Sequence, residues 1–240
     1  MLEQIGTVKG TSIPCKDAVR ILRGILRKIE DPVVIEVGVG VGATTLALAE
    51  ILDNRGRILI FDFEEKVAEL KKDLEDRGFR NVEAFGNTHK TSDSYSWQLA
   101  RLAQDSIATG PFVDFAYLDG AHNFLHDAPA AVALKALTKP GGYILLDDIH
   151  WTYADSPSIN PIVNPALLDR FTDEQINAEQ VAVVRDLVFA ADRDFEHLVE
   201  GVSNSRALYR KRLPEPPKKP WWRVWWKRLK RSLRRGQTKH

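Results

Sequence analysis

Val33-Val34-Ile35-Glu36-Val37-Gly38-Val39-Gly40-Val41-Gly42-Ala43-Thr44-Thr45 carries more structural information than any other stretch of the chain. An apolar run of strand length meets glycines at alternate positions and then a helix-forming segment, so it reads as buried strand, tight turn and helix start. Glycines in such a turn leave no Cβ between main chain and ligand, and the free N–H groups of the helix beginning near Ala43 point into it. The arrangement suits a nucleotide-like molecule. The surrounding sequence repeats the unit. Apolar strands are expected at Val33–Val37, Arg57–Phe63, Val82–Phe85, Val113–Leu118 and Tyr143–Asp147. Helices are expected over Ala18–Ile29, 43–53, 65–77, 94–108 and 125–138, with a further helix within 173–190. Short all-apolar strands alternating with amphipathic helices belong to a parallel sheet covered on both faces. A hairpin of Phe195–Val199 and Arg206–Arg210 adds two more strands. The expected fold is therefore α/β: a doubly wound, Rossmann-like, mostly parallel seven-stranded sheet with an antiparallel last strand.

The 240 residues have a net charge of +1 that conceals a strong polarity. Residues 211–240 hold 12 Lys and Arg against one acid, Glu215, whereas residues 1–210 hold 22 basic and 32 acidic residues. The chain divides accordingly into a catalytic domain over 1–210, a Pro-rich linker over 211–220 and a basic Trp-rich tail over 221–240. Cys15 is the sole cysteine, which excludes an internal disulfide and a cysteine-cluster metal site. The N-terminus lacks the layout of a secretory signal and no apolar run reaches membrane-spanning length, so the expected location is cytoplasmic.

In an open sheet of this kind ligands bind beyond the carboxyl ends of the strands. The second strand ends in Asp62, 20 positions after Gly42, where a carboxylate accepts hydrogen bonds from a ribose diol. This pattern leaves two cofactors open, because Gly38-Val39-Gly40-Val41-Gly42-Ala43 also fits a nicotinamide-dependent oxidoreductase. Asp119, Asp147 and Asp148 lie at two neighbouring strand ends and repel one another unless a positive charge sits among them. A divalent cation answers this, and oxygen-only ligands suit Mg²⁺ or Ca²⁺. His122, three residues beyond Asp119, is the first candidate for a general base, and His150 the second. His122, His126 and Asp127 also have metal-ligand spacing, although histidines in a polar loop more often serve as hydrogen-bonding residues.

Asp119-Gly120-Ala121-His122, followed by Lys139-Pro140-Gly141-Gly142 and Asp147-Asp148, resembles the class I S-adenosylmethionine-dependent methyltransferases. Within them the chain is most similar to the small metal-assisted O-methyltransferase-like group, over roughly residues 30–151. The resemblance implies that Glu36, Gly38, Gly40 and Gly42 hold the amino-acid end of S-adenosylmethionine. It places Asp62 on the ribose, Asn87 near the adenine and Asp119 at both cofactor and metal. In metal-dependent relatives the positions of Asp119, Asp147 and Asp148 hold Mg²⁺, with Asn common at the last. The implied reaction is methylation of a hydroxyl on a small polar, sugar or glycolipid acceptor. The Trp151–Pro165 loop is positioned to cover that acceptor.

On a helical wheel of about 100° per residue, Trp221, Trp222, Trp225, Trp226, Leu229 and Leu233 fall within about 140°, with every Lys and Arg of Trp221–Arg235 outside it. A basic amphipathic helix rich in tryptophan is expected to lie on an anionic membrane surface, here the inner face. Nucleic-acid binding, and with it an RNA methyltransferase, is the competing reading of the tail. A membrane-recruited binding module without catalysis is the third.

Overall fold

The structure, a computed structural model, describes residues 1–7 and 13–214; the Trp-rich tail and most of the Pro-rich linker lie outside the described residues. The elements run α1 (Lys16–Leu26), β1 (Val33–Val37), α2 (Ala43–Leu52), β2 (Arg57–Phe63), α3 (Glu64–Asp76), β3 (Val82–Asn87), α4 (Tyr95–Asp105), β4 (Val113–Leu118), α5 (Phe124–Leu137), β5 (Thr138–Leu146), α6 (Asp173–Asn177), α7 (Gln180–Val184), β6 (Phe195–Leu198) and β7 (Ala207–Lys211). One seven-stranded sheet has the order β3-β2-β1-β4-β5-β7-β6. β1 to β5 pair in parallel, and β7 pairs antiparallel with both β5 and β6. The chain order reverses between β1 and β4, and the crevice at that switch point is where an open sheet accepts its ligand.

The period of two along each strand divides the core. Ile35, Val37, Leu59, Phe61, Ala116 and Leu118 pack under α4 and α5, while Val34, Ile58, Ile60, Phe115 and Tyr117 pack under α1, α2 and α3. Both faces are dry, which is why these strands are apolar throughout rather than alternating. Glu36 falls on the second face and is buried among hydrocarbon at 1% exposure.

Two elements differ from the sequence expectation. β5 begins at Thr138 rather than Tyr143: Val113 pairs with Thr138, the register then slips, and Phe115 pairs with Tyr143. Lys139-Pro140-Gly141-Gly142 is the intervening bulge, pinned by Lys139 Nζ on Asp114 at 2.8 and 2.9 Å. The helix expected within 173–190 is broken into α6, α7 and a π-helical turn over Arg185–Ala190, because Ala178 adopts an extended conformation. The break places the buried Gln180 side chain across the start of α5: it accepts from Phe124 N at 2.9 Å and donates to Gln175 O at 2.8 Å. One free amide of the first turn of α5 is thereby satisfied. No helix among the described residues is long and apolar enough to cross a membrane.

Candidate active site

Gly38, Gly40 and Gly42 all have positive φ, at 81°, 52° and 84°. At Gly38 a Cβ would lie 1.9 Å from the carbonyl oxygen of Asp119, so glycine is what lets the end of β1 close on the end of β4. The turn is held from the next strand by Asp62, whose carboxylate accepts from Val39 N at 3.1 Å and Phe63 N at 2.7 Å, with Lys66 Nζ at 3.6 Å. Asp62 thus supports the loop as well as standing where a ribose would be gripped. Behind the turn, burial pushes the Glu36 carboxyl up to about 8, helped by the charges of Asp119 and Asp62, while the Thr45 hydroxyl pulls the other way. Its Oε2 is buried without a partner. The end of β3 carries a second orphan: Asn87 is buried, its amide donates to Thr88 O at 3.2 Å, and its Oδ1 is unpaired. Phe63 and His89 stack beside it with centroids 4.2 Å apart. Orphaned polar atoms converging on a glycine turn fit an adenosyl cofactor, which brings hydroxyl, amino and ring-nitrogen partners.

The other half of the crevice is built by the ends of β4 and β5. His122 Nε2 lies 3.6 Å from Asp119 Oδ1 and 3.9 Å from Asp148 Oδ2. His122 and Asp148 both adopt left-handed backbone, φ 53° and 51°, a conformation that costs a non-glycine residue about 1 kcal/mol or more. Of the four such residues among those described, the other two, Asp53 and Asn54, close the turn after α2. Burial and then the neighbouring carboxylates Asp147 and Asp148 push the Asp119 carboxyl well up; Asp148 is pushed up by burial and by Asp147.

Asp147 is arranged differently from its sequence neighbours. Its Oδ1 accepts from Asp148 N at 2.9 Å and ion-pairs with Arg206 Nε at 2.8 Å, and its Oδ2 accepts from the Tyr117 hydroxyl. Tyr117 Oη also lies 3.0 Å from Asp119 Oδ2. One hydroxyl, with a single proton, thus stands between the carboxyl groups of Asp119 and Asp147. Arg206 reaches back to Asp17 at 3.2 Å, so β7, β5 and α1 are tied through one guanidinium.

The sequence reading proposed Asp119, Asp147 and Asp148 as metal ligands. Here Asp147 is occupied by Arg206 and Tyr117, and the group whose donor atoms all lie within 4.8 Å of one another is Asp119, His122 and Asp148. His150, the second base candidate, is exposed and pairs with Glu179 at 3.1 Å, outside this cluster. Asp127 accepts from the Tyr95 hydroxyl, which in turn accepts from Ala121 N at 2.9 Å, so Asp127 braces the loop and does not join a metal set with His126. Trp151 stands 5.1 Å from the His122 ring and leads an aromatic wall through Tyr153 to Phe171, each step 4.7 Å. Sequence reasoning missed Tyr117 and Arg206. Tyr117 was accessible in principle, since residues two apart on a strand face the same way. Arg206 lies 59 positions beyond Asp147 and has no local signal.

A family model described as a methyltransferase domain matches residues 35–149, the span that contains the glycine turn, Asp62 and the Asp119–Asp148 cluster. No curated protein sequence matches the chain. Among solved structures the chain is similar to the O-methyltransferase TomG of Streptomyces achromogenes, in complex with S-adenosylmethionine (17% identity, 88% of this chain and 86% of that one, TM-score 0.58). It is likewise similar to an O-methyltransferase from Bacillus cereus in complex with S-adenosylhomocysteine (15%, 88% and 90%, 0.58). A third is a methyltransferase from Geobacter sulfurreducens (16%, 88% and 87%, 0.51). These likenesses establish the fold.

Proposed function

Taking as premise that residues 35–149 are a class I S-adenosylmethionine-dependent methyltransferase domain, we propose that the protein methylates a hydroxyl group on a small polar, sugar or glycolipid acceptor. The observation that carries the reading is the division of the crevice. Glycine turn, Glu36, Asp62 and Asn87 lie on one side, and His122 between two carboxylates under Trp151 lies on the other. Glu36 and the turn Gly38–Gly42 would hold the amino-acid end of the cofactor, Asp62 the ribose and Asn87 the adenine side. The bound cofactor supplies a methyl group on a sulfonium, already a good leaving group.

What remains for the chain is alignment, exclusion of water and a place for one proton. His122 Nε2 receives the acceptor hydroxyl proton, and Asp119 and Asp148 stabilise the imidazolium so formed, as a carboxylate does in a catalytic triad. Trp151, backed by the buried Tyr153, presents flat apolar surface to the acceptor and shuts out solvent. A methyl-transfer assay over a panel of sugars, phenols and glycolipid headgroups tests this. Transfer to oxygen that disappears in His122→Gln supports it. A protein that binds the donor and methylates no hydroxyl favours a binding module.

A second reading has its own observation. Asp119, His122 and Asp148 have the separations of a cation site, and with a nitrogen donor in the set Mn²⁺ or Zn²⁺ fits better than Mg²⁺. These residues would hold the ion, which when bound makes an acceptor hydroxyl more acidic. His122 cannot serve at once as ligand and base, so activity that survives exhaustive chelation decides for the base. The tail Trp221–Arg235 supports peripheral docking on an anionic membrane through its segregated tryptophans and basic residues, in preference to nucleic acid.

A further inference from the structure

The outer face of α1 is a cationic stripe on an acidic body. Lys16, Arg20, Arg23 and Arg27 recur at spacings of four, three and four, which on a helix is one face, opposite the buried Ala18, Ile21, Leu22 and Ile25. From Lys16 to Lys28, both included, there are five basic residues and one acid, Asp17. That acid accepts from Ser203 N at 3.0 Å and pairs with Arg206 at 3.2 Å, and it also reaches Arg20 of the stripe at 3.3 Å, leaving Lys16, Arg23 and Arg27 of that face without an acid from α1. The stripe walls a groove of about 710 Å³, whose apolar surface comes from Ile13, Val19 and Ala47 of the neighbouring α2. Ile13 is 69% exposed. The stretch 1–210 carries ten more acids than bases, so this concentration of positive charge is local.

We infer that the α1 face docks on an anionic bilayer as a contact surface separate from the tail. Cations around exposed aliphatic side chains match a headgroup layer, where charge meets phosphate and Ile13 meets the acyl boundary. Nucleic acid fits less well, since no aromatic side chain lines the groove to stack on a base. The tail is not its occupant, because both are basic. The geometry also has a consequence for the site: Cys15 N, at the head of α1, donates to Thr44 Oγ1 on the first turn of α2 at 2.9 Å, so the stripe starts at the crevice end of the sheet. A bilayer along α1 therefore runs beside the mouth of the crevice, within reach of an acceptor carried at the headgroups.

The experiment is flotation of the full chain with phosphatidylcholine vesicles and with vesicles containing one third phosphatidylserine. Three variants accompany the wild type: R23Q/R27Q, R23E/R27E, and one with Lys227, Arg228, Lys230 and Arg231 changed to Gln. Each basic residue at an anionic surface contributes roughly fivefold, so R23Q/R27Q should partition about tenfold or more less well onto the anionic vesicles. R23E/R27E should be weaker still, with unchanged thermal unfolding and S-adenosylhomocysteine binding in both. Equal partition of wild type and both α1 variants overturns the inference. If in addition the tail variant alone loses binding, the tail reading survives without it; if only the α1 variants lose binding, the α1 surface stands and the tail reading fails. Binding of the wild type to a generic RNA oligonucleotide but to neither vesicle, lost in R23E/R27E, also overturns it.

Discussion

Replacing Glu36 with Gln should flatten the pH dependence of stability. In the folded chain the carboxyl is raised from its ordinary 4.5 to about 8, chiefly because it is buried away from water. Between those values the folded form keeps a proton that the unfolded form has released, so stability is greatest at the acidic end and falls as pH rises. The slope for one such group is about 1.4 kcal/mol per pH unit, and the whole interval amounts to about 5 kcal/mol. Asp119, Asp127 and Asp148 are shifted in the same direction, so wild type and variant both lose stability on going from pH 5 to pH 8. The difference between them isolates Glu36. At about 2–4 °C of Tm per kcal/mol for a chain of this size, the wild type should lose roughly 10 °C more than Glu36→Gln across that range. Calorimetric or fluorescence melts without cofactor, at half-unit pH steps, provide the measurement. Parallel melting curves for the two proteins would mean that Glu36 is ionised and solvated in the folded chain, and the reasoning about its orphaned oxygen would fail.

Three other outcomes follow from the geometry. His122→Gln should lower kcat by about 10² to 10⁴ while leaving S-adenosylhomocysteine affinity within about twofold, as read by steady-state kinetics and calorimetry. Gly38→Ala places a Cβ against the Asp119 carbonyl at a positive φ and should cost at least about 2 kcal/mol in urea unfolding, with cofactor binding lost in parallel. Arg206→Met strips the cation from Asp147 and Asp17 together and should destabilise by about 3 kcal/mol. Adding Asp147→Asn to it should restore part of that loss, whereas strictly additive effects would argue against a coupled pair.

The strands were legible because their physics is local: Ile58-Leu59-Ile60-Phe61 has no polar face, and only a strand buried on both sides can use it. The placement of Asp62, Asp119 and Asp148 at the carboxyl ends of their strands was legible for a related reason, since charge there ends an otherwise apolar run. The bulge at Lys139–Gly142 lies outside the strand expected from the sequence because its pairing depends on Val113, across the sheet. The break at Ala178 accompanies a contact with the start of α5, Gln180 Oε1 accepting from Phe124 N, that no local pattern records. The role of Asp147 was hidden most completely. Its sequence neighbours recommend it as a metal ligand, while its charge is met by Arg206, brought in by a hairpin whose packing no local pattern records.

Titration of the wild-type protein with S-adenosylhomocysteine in an isothermal calorimeter tests the crevice most directly, with Asp62→Ala as its companion. One saturable site per chain, competed by S-adenosylmethionine and weakened at least tenfold in the variant, is the expected result. The absence of saturable binding in the wild type, or equal binding in both proteins, would contradict it.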